Sequence, residues 1–267
     1  MPVFPNAPLV LVALEVRYPE LVEPVDTRGL RKAVRDLLPI PGNVTEQTIT
    51  FGTAPPVIDQ RRFPRLMSRD GTTALVVSHQ ALVLETTTYA GYDRYRDVVE
   101  RVIAAIAEVQ GPDGIQRVGM RFIDEIRVPG VTEPPGDWRE WIVEGLLVPL
   151  APDVKVGSEH FRPRTWQGEA VYDAGAGYAV KLRYGPQVGH AVPPDGPTRR
   201  VRPPEAGLFF LLDSDGSWTP QEGIPEFTPD RVLDACDTVH EPLSALFKAV
   251  GTQRLVDEVF MAKEGAA

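Results

Sequence analysis

EVRYPELVEP, Glu15 to Pro24, recurs in altered form as EIRVPGVTEP, Glu125 to Pro134, at an offset of 110 residues. Glu15, Arg17, Pro19, Glu23 and Pro24 meet Glu125, Arg127, Pro129, Glu133 and Pro134, while Val16 meets Ile126 and Leu21 meets Val131. The register continues without a gap to Leu37 and Pro39, which meet Leu147 and Pro149. An ungapped correspondence of this length implies that one structural unit is used twice.

The local pattern supports that reading. From Val10 to Tyr18 the even positions are Val, Val, Leu, Val and Tyr, the period of two of a half-buried strand. Val118, Met120 and Phe122 repeat it, and in both copies a proline then stops the strand. A helix is predicted next in each copy. The first spans about 27–38, capped by Asp26 or Thr27, with Leu30, Val34, Leu37 and Leu38 inward. The second starts near Asp137 and places Trp138, Trp141, Ile142 and Leu146 on one side. Four short strands are expected around 49–51, 61–69, 72–78 and 81–88, with Asp70-Gly71 as a hairpin turn. A long amphipathic helix over 92–110 closes the first unit.

The second unit follows the same order, with strands within 154–172, 178–184 and 208–213. Its last helix begins after Thr228, with Pro229 at the first helical position, and runs towards Val250. Gly251 and Thr252 break it before a short terminal helix. A Pro/Gly/Arg-rich insertion at 185–207 is expected as a loop.

The predicted fold is therefore α+β: two tandem strand-helix-four-strand-helix units, residues 1–112 and 113–267, forming one pseudo-twofold antiparallel sheet with long helices on one face. This element order resembles the TATA-binding-protein-like tandem fold, and helix-grip units are the competing arrangement. Were the two first strands paired about a twofold axis, residues whose numbers sum to 142 would face each other. Glu15 would then meet Arg127 and Arg17 would meet Glu125, an inter-unit ladder of opposite charges.

Composition bounds the function. Hydrophobic content of 43% and charged content of 24% are those of a globular protein with a proper core. Net charge is −9, and residues 111–267 carry most of it, with 16 basic and 24 acidic residues. That balance disfavours general nucleic-acid affinity, because phosphate contacts supply most non-specific binding. A single cysteine, Cys236, precludes an intrachain disulfide and suits a reducing compartment, so a cytoplasmic location is expected. The apolar N-terminal run lacks a basic leader and is taken as a strand, not a signal peptide. No membrane span is expected.

Chemical signatures are sparse. Cys236 and His240 are four apart on the predicted last helix, but zinc needs three or four protein ligands, so neither a metal nor a cofactor is expected. Asp213 and Asp215 in LLDSDGSW could bind a divalent cation or another ligand, or act as acid and base, although Ser-Asp-Gly-Ser is ordinary turn chemistry. Gly175-Ala-Gly177 connects two strands and suits a hairpin, not a dinucleotide loop. Arg61, Arg62, Arg65 and Arg69, with Phe63 among them, and Arg199, Arg200 and Arg202 in the insertion are the candidate contacts for an anionic ligand or acidic partner. The same arginines also suit a charged edge strand.

The segments APLVLVALEVRYP, GMRFIDEIRVP, LLDSDGSW and TVHEPLSALFKAV resemble those of a sporadically distributed, uncharacterised bacterial family of about 260 residues. Asp124 departs from that pattern, where Asn is more usual. The resemblance implies structural rather than catalytic motifs, and the patchy distribution implies a mobile or defence-associated gene context. The leading expectation is a non-enzymatic binding or adaptor protein, monomeric or homodimeric, recognising a protein partner or ligand through its sheet face or inter-unit groove. The alternatives are an enzyme using Asp213 and Asp215 and a nucleic-acid binder using the arginine clusters.

Overall fold

The computed structural model describes residues 4–23, 25–50, 57–147, 154–161 and 165–262, apart from the side chains of 47–50, 57–59, 110, 154, 156, 160 and 161. Pro24 and Pro149 of the repeat therefore lie outside the described residues. In chain order the elements are β1 (Leu9–Arg17), α1 (Thr27–Ala33), β2 (Ile40–Thr50), β3 (Val57–Met67), β4 (Thr73–Val77), β5 (Ala81–Thr86) and α2 (Tyr92–Gln110). Then follow β6 (Arg117–Ile126), β7 (Val154–Val156), β8 (Glu159–Phe161), β9 (Gly168–Gly175), β10 (Tyr178–Gly189), β11 (Gly207–Trp218) and α3 (Pro229–Val250). A short helical turn at Gln253–Leu255 runs on into a wider one at Val256–Phe260.

Nine strands form one antiparallel sheet in the order β2-β3-β4-β5-β1-β6-β11-β10-β9, and β7 with β8 makes a separate hairpin. α2 and α3 lie side by side on one face. Their apolar stripes, including Val99, Ile103, Ile106, Val232, Cys236 and Val239, close over Val12, Leu14, Val118 and Met120 of the central strands. Packing is close enough to demand a glycine: a Cβ on Gly216 of β11 would sit 2.8 Å from Val239 and 2.9 Å from Leu243. Gly216→Ala is expected to lower stability by about 1–3 kcal/mol through overpacking, read as a lower urea midpoint at unchanged slope. An unchanged midpoint would show that α3 yields at this point.

The central pairing differs from the expected ladder. β1 and β6 are antiparallel neighbours, but Glu15 faces Gly119 and Arg17 faces Arg117, not Arg127 and Glu125. Burial sets this register. It brings Val12 against Phe122, Leu14 against Met120 and Val16 against Val118 on the helix-covered face. Burying an apolar side chain contributes about 1.5–3 kcal/mol, whereas a cross-strand charge pair contributes about 0.2–1 kcal/mol. A strand covered on one face cannot slip without exposing its apolar set, so apolar burial prevails over charge pairing.

The second expected helix is also absent. Residues 138–142 form a turn closed by Trp141 N–H and Ile142 N–H donating to the Trp138 carbonyl. Ile142 bridges to Gly251, and a single 3-10 turn follows at Glu144–Leu146. The i, i+3, i+4 spacing of Trp138, Trp141 and Ile142 is real, but it packs a turn into a second apolar cluster with Phe210, Leu212, Val250 and Phe260. α1 is shorter than expected. Asp26 caps it by accepting from Arg28 N–H and Gly29 N–H, and looser turns then carry Leu38 into the core. No helix among the described residues is long and apolar enough to cross a membrane.

The insertion is narrower than its composition suggests. β10 runs to Gly189 and β11 begins at Gly207, leaving residues 190–206 as the connection. This segment lies as a strap across the sheet face opposite the helices. Its Arg199 N–H donates to the Gly71 carbonyl, and Thr87 Oγ1 donates to the Arg199 carbonyl.

Candidate functional site

The helix-covered side contains a cleft where residues 4–9, the start of α2, the middle of α3 and the strands β6 and β11 meet. Its free volume is about 90 Å³, and its walls include Phe4, Pro8, Leu9, Tyr89, Phe122 and Phe247. One acid stands among these apolar groups. On β6 the residues facing the helices are Val118, Met120, Phe122, Asp124 and Ile126, so strand alternation delivers Asp124 to a position otherwise reserved for hydrocarbon. Its cross-strand neighbours are Leu9 and Leu212.

Asp124 is 3% exposed; no hydrogen bond or ion pair holds its carboxyl among the described residues, and its oxygens are not fully enclosed as Arg65 Nε, Arg127 Nε and His190 Nδ1 are. Burial pushes its pKa up to about 8, so the ligand-free cleft holds a neutral acid at pH 7. The remaining polar groups in the wall are arranged by their neighbours. Tyr92 donates to Asp237 at 2.7 Å, and Arg96 ion-pairs with the same carboxylate at 2.9 Å. This anchored ring stacks on His240 with centroids 3.6 Å apart and planes within 5°. Burial lowers the His240 pKa and raises that of Tyr89 to about 12, so both are neutral around pH 7. Ser214 completes the polar set, and the wall contains no lysine or arginine among the described residues.

The pair Cys236–His240 does sit on one helix as expected, but the two residues serve different environments. Cys236 is buried in the core, its thiol pushed up to about 12 by burial, whereas His240 faces the cleft. Among the described residues no group of three His, Cys, Asp or Glu is placed to hold a metal.

Most of the acids and arginines singled out from the sequence lie on the opposite, strap-bearing face, and most of these are committed to ion pairs. Asp213 and Asp215 are not in a turn: both lie within β11, because LLDSDGSW is spanned continuously by β6 and β10 on either side. Arg121 holds Asp213 through two hydrogen bonds of 2.6 and 2.7 Å, and Arg117 bridges Asp215 at 3.1 Å to Glu15 at 2.8 Å. A carboxylate pair free for acid-base work is therefore not formed. Glu15 also accepts from Arg17 within its own strand.

Glu125 and Arg127 are anchors for the strap. Glu125 accepts from Arg200 at 2.7 and 3.2 Å, from Ala191 N–H at 2.7 Å and from Arg127 at 3.2 Å. Arg127 also donates to the Gly189 carbonyl at 2.7 Å. The arginines of β3 do not form one surface. Arg65 is buried against Thr198 and the Pro197 carbonyl, within 3.7 Å of Glu85, while Arg61, Arg62 and Arg69 are exposed. Strand alternation puts Arg62 on the face opposite Arg61 and Arg65. The strap thus joins the two arginine-rich segments, with Arg65 and Arg200 turned inward and Arg199 and Arg202 outward.

Sequence reasoning missed Asp124 as a site residue, although a signal exists: it is the one acid in the apolar phase of the β6 alternation. Comparison of the chain with protein-family models and with curated proteins gave no match.

Proposed function

We propose that this chain is a non-enzymatic binding protein that takes a small, largely apolar ligand in the cleft between α2, α3 and the central strands. The observation that carries the reading is a carboxyl that lines an apolar cleft, 3% exposed and without a partner among the described residues. Burying such a group costs several kcal/mol unless something satisfies it. Ligand pockets combine apolar walls with a few placed polar groups, and this cleft has that composition.

The cleft is also the inter-unit groove of the tandem architecture. A pseudo-twofold relation is supported by the strand order, in which β1 and β6 pair centrally and β5 and β11, the last strand of each proposed unit, flank them. α2 and α3 follow those flanking strands in the same way. Residues 4–9 and 89–92 then come from one unit, and Phe122, Asp124, Ser214 and His240 from the other.

A thermal-shift screen with a library of small acids, amines and neutral apolar compounds tests the reading. A ligand present at one hundred times its Kd adds about 2.7 kcal/mol of stability. Ser244→Trp, which fills the cleft from α3, is expected to abolish the shift, while Arg62→Ala on β3 leaves it intact. A library that stabilises nothing, or shifts that survive in Ser244→Trp, would overturn it.

A further inference from the structure

We propose that the group recognised in this cleft is a protonated amine on a compact apolar body, held by Asp124; this rests on the cleft being a ligand site. Three observations converge on that class. The cleft's lone acid has no partner among the described residues, and no lysine or arginine of the described wall competes for it. The rings of Tyr89 and Phe122, edge to face at 5.9 Å, and the Tyr92–His240 stack offer aromatic surface that attracts a cation. Ser214, 5% exposed, places a hydroxyl in the same wall, able to accept a second ammonium N–H. An anion would meet a buried acid with no lysine or arginine in the described wall beside it.

Size narrows the choice. A free volume of about 90 Å³ admits several water molecules at roughly 10–15 Å³ of such volume each. That suits a short alkylammonium, or the head of a longer amine whose tail leaves through the mouth of the cleft.

Binding of this class carries a proton signature. The free cleft holds Asp124 as the neutral acid, and the complex holds a carboxylate beside an ammonium, so the carboxyl proton passes to solvent. The titratable groups facing Asp124 are Tyr89 and Tyr92 from the α2 side and His240 from α3; Asp93 and Asp237 act on these from outside, and Arg96, Lys248 and the amino terminus act on them with the opposite sign. Both tyrosines are shifted up and His240 down, chiefly by burial, so these three stay neutral while Asp124 titrates. Affinity for an ammonium therefore rises about tenfold per pH unit below pH 8 and levels above it.

Titration calorimetry of the full chain with n-butylammonium, n-butanol and n-butyrate at pH 6 and pH 8, in buffers of different ionisation heat, tests this. n-Butylammonium is expected to bind at least tenfold tighter than n-butanol at pH 8, more weakly at pH 6, and to release about one proton per ligand at pH 6. Asp124→Asn is expected to lose that preference while leaving n-butanol binding unchanged. If n-butanol binds as tightly as the amine, or amine affinity falls as pH rises, the amine assignment is overturned and the cleft reading stands. If none of the three binds, the amine assignment is again overturned, and a library screen that also stabilises nothing would remove the cleft reading with it.

Discussion

Replacing Arg200 with Met lowers stability by about 3–5 kcal/mol, the usual cost of removing one partner from a buried ion pair. The effect is large because of what is left behind. The Arg200 side chain is 6% exposed and that of Glu125 2%, so the carboxylate abandoned by the mutation cannot turn to water. Glu125 would retain the Ala191 N–H, Arg127 and, at 4.0 Å, the His190 imidazole. The double variant Glu125→Gln/Arg200→Met is expected to recover most of the loss, since the charge and its partner disappear together. The pH dependence follows from the same balance. Burial alone would raise the Glu125 pKa, but the hydrogen bonds and charge of Arg200, with Ala191 N–H and Arg127, outweigh it and hold the value below normal. A depressed folded pKa gives stability that is present above the unfolded carboxyl range and lost as pH falls through the folded value. Urea midpoints across pH measure this. A loss below about 1 kcal/mol in Arg200→Met would mean that Glu125 reaches solvent.

The second large effect has the opposite sign. Asp124→Asn is expected to make the protein more stable at pH 9 and to matter far less at pH 4. The folded pKa of about 8 lies above the ordinary carboxyl value of 3.8, so the folded state keeps a proton that the unfolded chain gives up. Stability from this group is complete below the unfolded pKa and drains away as pH rises to about 8. At about 1.36 kcal/mol per pKa unit the full swing is on the order of 5 kcal/mol. Asparagine removes the titration while keeping the shape. Parallel stability-pH curves for the two proteins would show that Asp124 is solvated or paired. Adjacent residues on β6 thus titrate in opposite senses, because alternation sends Asp124 into the apolar cleft and Glu125 to an arginine on the other face.

Much of the local structure was legible from the chain. Tyr92–Gln110 and Pro229–Val250 form the helices their spacing and capping predict, and the hairpins at Asp70-Gly71 and Gly175-Ala-Gly177 fall where turn chemistry puts them. Each departure arises where long-range contact outweighs a local pattern. The charges of Glu15, Arg17, Glu125 and Arg127 suggest a ladder, but burial across the sheet sets the register. Trp138, Trp141 and Ile142 carry helical spacing without forming a helix, because spacing records which residues are buried and not how the backbone presents them. Ser214-Asp215-Gly216 looks like a turn, yet the glycine is there for α3 to approach. Asp124 announces nothing by motif; its meaning depends on which face of β6 the helices cover.

The strap also imposes an order on assembly. Its ends leave β10 and β11, and Glu125 on neighbouring β6 holds it, but its other attachments, the Gly71 carbonyl, Glu85 and Thr87, lie across the central pair in the first half. The attachments to Gly71, Glu85 and Thr87 are not in place until the two halves of the sheet have met along β1 and β6. The strap is therefore fastened across a finished sheet, and it makes the union of the halves harder to reverse: drawing β1 from β6 means first freeing a crossing segment whose Pro197 carbonyl and Thr198 are held by the buried Arg65 of the other half.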